Sequence, residues 1–191
     1  TMLLPFADGD VDAATAAILT NKLLQLAGGA VYDENGKAQI VHDQKLEVLD
    51  QLIEEANGQP VLVFYNYKHE LDRLQARYPQ AVHVKEENVV KRWNAKEIPI
   101  LLANPASAGH GLNLQFGGHI AIWYSPTWNL EFFQQANKRL HRRGQAETVL
   151  IHTLSAKGTI DERIYDIVLR NKEAGQNALL EAVKARIKEV T

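Results

Sequence analysis

Several features that mark common protein classes are missing from this sequence. There is no cysteine among its 191 residues, so disulfide bonds and thiolate metal sites are excluded. A membrane-spanning helix needs about 20 apolar residues, and no apolar run here approaches that length, so we expect no membrane partner. The seven histidines show no metal-binding spacing such as His-Glu-x-x-His, and we expect no metal site on this chain.

An excess of positive charge is also missing. The formal net charge is −2, whereas proteins that wrap nucleic acid are usually basic. Any contact with nucleic acid must therefore be made by a local patch. The remaining composition, with 46% apolar and 23% charged residues, is that of a globular chain able to bury a sizeable core.

From residue 60 onward, short apolar runs rich in β-branched residues alternate with helical patterns. The predicted strands are 61–65, 81–84, 98–103, 119–123 and 148–154, and the predicted helices are 69–77, 87–95, 129–143 and one that starts near residue 159. Such alternation is typical of parallel βαβ units and predicts a three-layer α/β fold. Ligand sites of such sheets lie at the carboxyl ends of the strands, so the loops after the strands are expected to matter most.

The first 57 residues follow a different pattern. Helix formers with apolar spacing predict a helix over 13–26, and a second helix is predicted over 43–56. Between them, residues 31–41 form either a short hairpin or an extended excursion, with a turn at 33–36.

The loop 104–114 directly follows a buried strand and is rich in small residues. Glycines there let the backbone approach a ligand closely and present N–H groups to an anion, and Ser107 offers a hydroxyl. A turn-rich loop with no ligand has the same composition. Residue types alone leave both interpretations open.

The helix 129–143 carries a second candidate site. At ~100° per residue, Gln135, Arg139 and Arg142 fall on one stripe of this helix. Guanidinium groups presented together suit a triphosphate, because they bind phosphate oxygens bidentately. Arginines in a last turn also complement the helix dipole, and Gly144 suits the position after a helix end. The pattern therefore fits a ligand site and a plain surface helix equally well.

Taken together, these segments resemble the C-terminal RecA-like lobe of Swi/Snf-type ATPases of helicase superfamily two. The resemblance covers roughly residues 15 to 170, and the order and spacing of the motifs match. The matching segments are 45–49 (the lysine-leucine helix), 61–67 (motif IV), 107–114 (motif V), 128–129 (tryptophan-asparagine), 135–145 (motif VI) and 159–164 (the closing helix).

The resemblance implies an ATP-dependent DNA helicase or translocase with specific catalytic residues. Arg142 would be the arginine finger that reaches the γ-phosphate of ATP, Arg139 would be its partner, and Gln135 would orient the pair. ATP and Mg²⁺ would be held mainly by another lobe. Gly111 and Asn113 would link the nucleotide cleft to the DNA grip.

The resemblance also implies a double-stranded DNA partner. The residues expected to hold the DNA are Ser107, Ala108, Gly109, Asn66, Trp128 and Asn129. Four positions depart from the pattern of eukaryotic remodelers: Ser125 and Thr127 replace acidic residues, His110 replaces a glycine and Arg143 replaces an apolar residue. This variant is most similar to the branch found in phage and prophage genomes, which implies a cytoplasmic protein of a bacterial or phage-infected cell.

A phosphate-binding loop is missing from the sequence. No Gly-x-x-x-x-Gly-Lys-[Ser/Thr] occurs, so we expect an N-terminal RecA-like lobe of the same polypeptide to carry the nucleotide, and the chain alone to be inactive. We expect linker and bracing helices over 1–57, the RecA-like lobe over 58–170 and a C-terminal helical extension over 171–191.

Two other functions remain as alternatives. A stand-alone Rossmann-like enzyme would hold a cofactor on its glycine loop, although no G-x-G-x-x-G opens a helix here. A non-catalytic nucleic-acid-binding module would need salt-resistant DNA binding despite the acidic net charge.

Overall fold

The computed structural model describes residues 13–108 and 111–169. The helices are α1 (Ala13–Ala27), α2 (Gln44–Glu55), α3 (Lys68–Arg77), α4 (Val89–Asn94), α5 (Pro105–Ala108), α6 (Leu130–Asn137) and α7 (Ile160–Leu169). The strands are β1 (Ala30–Tyr32), β2 (Ala38–Ile40), β3 (Val61–Phe64), β4 (Val82–His83), β5 (Ile100–Ala103), β6 (Ile120–Trp123) and β7 (Leu150–Thr153). None of these helices is both long and apolar enough to cross a membrane.

Five strands form one parallel sheet in the order β4-β5-β3-β6-β7. β3 lies at its centre, and all four of its residues are buried, as are those of β5 and β6. Strands covered on both faces read as continuous apolar runs, which is the pattern of residues 61–65. The predicted mainly parallel sheet is confirmed.

Helices cover both faces of this sheet. Val61 and Val63 point to one face, where they share a core with residues of α2 and α3. Leu62 and Phe64 point to the other face and pack with residues of α1, α4, α6 and α7. Successive residues of a strand face opposite sides, so one short strand serves two cores. The three-layer α/β architecture is therefore confirmed.

The segment before the sheet packs closely on it. β1 and β2 pair antiparallel, which makes the excursion a hairpin. Arg73 of α3 donates hydrogen bonds to the carbonyls of Gly28 and His42, at 2.8 and 2.7 Å, and pairs with Asp43. Lys45 of α2 forms a buried ion pair with Asp161 of α7 at 2.5 Å. The division at residue 57 stays a prediction, and the extension 171–191 lies outside the described residues.

Two local predictions about helix ends were wrong. The helix predicted over 129–143 ends at Asn137, because the Asn137 side chain accepts a hydrogen bond from the buried Trp123 indole at 2.9 Å. After it, the N–H groups of Arg139 and Leu140 donate to the carbonyls three residues earlier, as in a tighter turn. The sequence of residues 159–162 also fits a capping box, in which Glu162 would accept from the amide of Thr159, but Glu162 accepts from that of Gly158 at 3.0 Å.

Candidate functional site

The carboxyl ends of β3 and β5 are joined by amide side chains. Asn104, the first residue after β5, donates to the carbonyls of Tyr65 and Asn66, at 3.3 and 3.2 Å. Asn66 in turn donates from its side chain to the carbonyl of Pro126, after β6. The loops that follow three neighbouring strands are thereby fixed to one another.

A buried carboxylate holds two of these loops by hydrogen bonds. Glu70 is fully buried at the start of α3 and accepts from the backbone N–H groups of Asn66 (2.8 Å) and Tyr67 (3.1 Å) and from the hydroxyl of Ser125. Burial raises the pKa of Glu70, while these bonds act in the opposite direction. Ser125, noted above as a departure from the remodeler pattern, is therefore the hydroxyl partner of this carboxyl group.

A cleft of about 420 Å³ opens above this network. Its walls contain Asn21, Asn66, Asn104, Trp128 and Asn129, among others. Trp128 is 38% exposed at this position. The side chain of Asn129 accepts from the backbone N–H of Phe132 at 3.0 Å and is the N-cap of α6. The sequence-predicted residues Asn66, Trp128 and Asn129 thus lie together.

The predicted motif V segment begins beside this cleft. Pro105 opens the short helix α5, in which the predicted residues Ser107 and Ala108 lie, and Gly109 falls outside the described residues. Gly111 has φ +66°, a left-handed conformation that favours glycine. The segment then returns toward the start of β6, as a crossover between parallel strands must.

Arg142 and Asn113 contact each other outside the lining of this cleft. The Arg142 guanidinium donates to the side-chain oxygen of Asn113, and both residues are exposed. Among the described residues, no carboxylate lies within ion-pairing distance of Arg142. Arg139 is half-buried, and burial together with the nearby Arg142 charge lowers its pKa. The two guanidinium groups thus form a concentrated positive site.

This arginine site lies near the amino ends of the strands. Gln145 donates to the carbonyls of Gln115 and Gly118, at 2.8 and 3.0 Å, and Gly118 lies two residues before Ile120, where β6 starts. The reason is topological: α6 starts after the carboxyl end of β6 and runs back along the sheet. The expectation that loops after the strands hold the important residues therefore fits the cleft but not the arginines.

Gln135 is placed differently from the arginines. Its amide donates to Glu131 within α6, at 2.8 Å. Because α6 ends at Asn137, the common helical stripe predicted for Gln135, Arg139 and Arg142 does not exist. Its orienting role stays a prediction.

Sequence reasoning missed four residues that position the site: Trp93, Asn94, Glu70 and Asn104. Trp93 and Asn94 end α4 and donate to the carbonyls of Leu114 and Asn113, both at 2.8 Å. Asn104 had a recognisable signal, since an asparagine before a proline is typical of a helix start. Glu70 had a weaker one: a glutamate at the third position of a helix can accept from the amides before the helix, as it does from Asn66 and Tyr67, but its distant partner Ser125 could not be foreseen.

No metal site appears on the part of the chain that the structure describes. No three His, Asp or Glu side chains there lie close enough together to hold an ion. The arginine site, in contrast, brings two guanidinium groups near each other, and guanidinium groups are the side chains that bind phosphate oxygens bidentately.

The sequence of this chain is similar to that of known helicase proteins. Residues 44–144 match the helicase conserved C-terminal domain. Phage protein p41 of Acyrthosiphon pisum secondary endosymbiont phage 1 is 40% identical over 193 residues, covering 97% of this chain and 42% of p41. The chromatin-remodeling ATPase INO80 of Mycosarcoma maydis is 32% identical over 170 residues, covering 79% of this chain and 9% of INO80. The chain thus spans less than half the length of either relative.

A solved structure shows the same fold. The crystal structure of the C-terminal part of the Fun30 ATPase domain matches with a TM-score of 0.62 and 22% identity. The match covers 79% of this chain and 55% of that chain. The predicted RecA-like fold is confirmed.

Proposed function

Because this chain belongs to the helicase conserved C-terminal domain family, in its Swi/Snf-type branch, we propose that it is the second lobe of an ATP-driven DNA helicase or translocase. In this proposal an N-terminal RecA-like lobe of the same polypeptide carries ATP and Mg²⁺. The present lobe completes the catalytic site across the cleft between the two.

The exposed position of Arg142, without a carboxylate partner among the described residues, is the observation that carries the proposal. A single amide holds the Arg142 side chain in place. Its neighbour Arg139 has a lowered pKa, and an anion placed between the two would relieve their repulsion. An arginine that stabilises the charge of a transferring phosphoryl group raises the rate by ~10³–10⁵. Arg142 is the proposed finger, and Arg139 is its partner.

The cleft at the carboxyl edge is the proposed DNA grip. Amide groups of Asn66 and Asn129 and the backbone of Ser107 and Ala108 offer donors to phosphate oxygens, which position a duplex without reading its sequence. Trp128 adds an exposed ring at the rim. Such a neutral, local patch is compatible with a net charge of −2.

The segment from Asn104 to Asn113 is the proposed link between these two sites. It starts at the DNA cleft, where Asn104 ties two strand ends together, and it ends at the amide that holds Arg142. A shift of this segment on DNA binding would move Asn113 and so change the position of Arg142. Gly111, with its left-handed backbone, is the proposed pivot.

Separating and joining the lobes tests the proposal. The purified 191-residue chain should hydrolyse no ATP above background, with or without duplex DNA. The polypeptide that contains both lobes should hydrolyse ATP, and duplex DNA should stimulate it. Robust turnover by the chain alone would contradict the proposal. Tight, salt-resistant DNA binding by the chain, combined with no turnover by the longer polypeptide, would favour a non-catalytic binding module.

A further inference from the structure

Phe116 exposes an aromatic ring close to the arginine site. The side chain is 56% exposed, although burying a phenylalanine is strongly favourable. It lies three residues after Asn113, in the segment that leads into β6. Neither the arginine site nor the proposed DNA grip uses this ring.

The backbone around Phe116 holds the ring in this exposed position. Asn94 accepts from the N–H of Phe116 at 3.3 Å, and the buried Trp93 donates to the carbonyl of Leu114 at 2.8 Å. Gly117 is pressed against Trp93, since a Cβ at Gly117 would lie 2.3 Å from the Trp93 carbonyl oxygen. The loop cannot rotate the ring into the core without breaking these contacts.

The ring lies within reach of the nucleotide that Arg142 would contact. Gly144 packs beside it, with an ideal Cβ position 3.5 Å from the Cε1 atom of Phe116. Gly144 is only two residues from Arg142, and two residues span at most about 7 Å. The Arg142 guanidinium donates to Asn113, which is only three residues before Phe116, so ring and guanidinium belong to the same part of the surface.

A polar pocket of about 320 Å³ adjoins the ring. Gln115, Gln145, Lys96 and Glu147 are among its lining residues. The side-chain oxygen of Gln115 is buried and has no hydrogen-bond partner among the described residues. A buried acceptor without a donor is costly, which suits a site where a ligand supplies the donor.

We propose that Phe116 and this pocket form a subsite for the purine base of the nucleotide. The flat face of the base stacks on the Phe116 ring, and an exocyclic amino group of the base donates to the Gln115 side-chain oxygen. The second lobe thereby recognises the base of ATP as well as its phosphates. This inference rests on the proposed function, because it needs a nucleotide positioned across the cleft.

Steady-state kinetics of the two-lobe polypeptide with Phe116→Ala tests the subsite. Since loss of aromatic stacking weakens base binding by about tenfold, KM for ATP should rise by about that factor while kcat stays close to the parent value. KM for CTP should rise less, because a pyrimidine offers a smaller stacking face. Phe116→Tyr should keep the parent KM. Ile40→Ala, which removes an apolar side chain that is 68% exposed on the distant hairpin, is the matched control.

The result distinguishes the subsite from the proposed function. If Arg142→Ala abolishes turnover while Phe116→Ala leaves KM for ATP unchanged, the base subsite is wrong and the proposed function stands. If Arg142→Ala also leaves turnover unchanged, both are wrong. An equal rise of KM for ATP and CTP would contradict purine recognition.

Discussion

His69 lies buried between two aromatic rings and illustrates what a single residue contributes to stability. It stacks on Tyr67 with a centroid distance of 5.3 Å, and Tyr32 packs edge-on at 5.0 Å. Neither ring nitrogen has a hydrogen-bond partner among the described residues. Burial lowers the pKa of His69 to about 4, and the Arg73 charge adds to this while Asp72 opposes it.

The lowered pKa of His69 predicts an acid-sensitive fold. The unfolded chain protonates this histidine near pH 6.5, whereas the folded chain does so only near pH 4, so the stability that His69 contributes is lost as pH falls through this window. The loss is on the order of 3 kcal/mol. Urea unfolding of the chain at pH 7 and pH 5 should show a smaller difference for His69→Phe than for the parent. Equal differences would mean that His69 is not buried as a neutral ring.

The motifs named candidate residues, but the contacts around those residues could not be read from the sequence. Asn66, Trp128 and Asn129 line one cleft, because parallel strands bring their carboxyl ends to one edge, while their role in binding DNA stays a prediction. The contact between Asn113 and Arg142 was not predictable from spacing, since it depends on how far the connection to β6 returns along the sheet. The bond between Glu70 and Ser125 is equally unpredictable, because the two residues lie far apart in the sequence.

At the scale of elements, α6 shows why helix ends are hard to predict. Gly144 is a strong stop signal and favoured an end at residue 143. The helix ends at Asn137 instead, where a tertiary bond from Trp123 uses the asparagine side chain. The existence of the predicted strands and helices was correct, because each depends on an apolar run of its own.

The start of α6 carries a prediction about Asn129. Asn129→Ala removes the N-cap and should cost about 1 kcal/mol of stability. Asn129→Asp keeps a capping oxygen but adds a negative charge at the DNA cleft. Urea unfolding should therefore show a loss only for the alanine variant, while duplex binding by the two-lobe polypeptide should weaken for the aspartate variant. Parent-like DNA binding by Asn129→Asp would limit Asn129 to its capping role.

At the scale of the whole molecule, a buried ion pair connects the segment before the sheet to the last described helix. Lys45 is 5% exposed and Asp161 is fully buried, and Asp161 also accepts from the N–H of Ala156 at 3.2 Å. The sequence predicted α2 and α7 separately, but their pairing requires knowledge of the three-layer arrangement. Both residues fall in motif segments, which is consistent with a structural role for those motifs.

Removing only the positive partner of this ion pair should destabilise the chain more than removing both charges. Lys45→Met leaves the Asp161 charge buried without a partner and should cost about 3–5 kcal/mol. Lys45→Met combined with Asp161→Asn should recover much of this loss, because no charge remains buried. The measurement is the free energy of unfolding in urea at pH 7. A double variant no more stable than Lys45→Met would show that the charges themselves are not what the site requires.

The catalytic role proposed for Arg142 is tested most directly by the turnover of the two-lobe polypeptide with Arg142→Ala. The rate of duplex-stimulated ATP hydrolysis should fall by ~10³ or more, because the transition-state charge loses its partner. ATP affinity should stay close to the parent value, since in the proposed function the N-terminal lobe holds the nucleotide. Lys138→Ala, which removes an exposed positive charge nearby, should leave the rate unchanged. Parent-like hydrolysis by Arg142→Ala would contradict the assignment of this chain as the lobe that completes the ATP site.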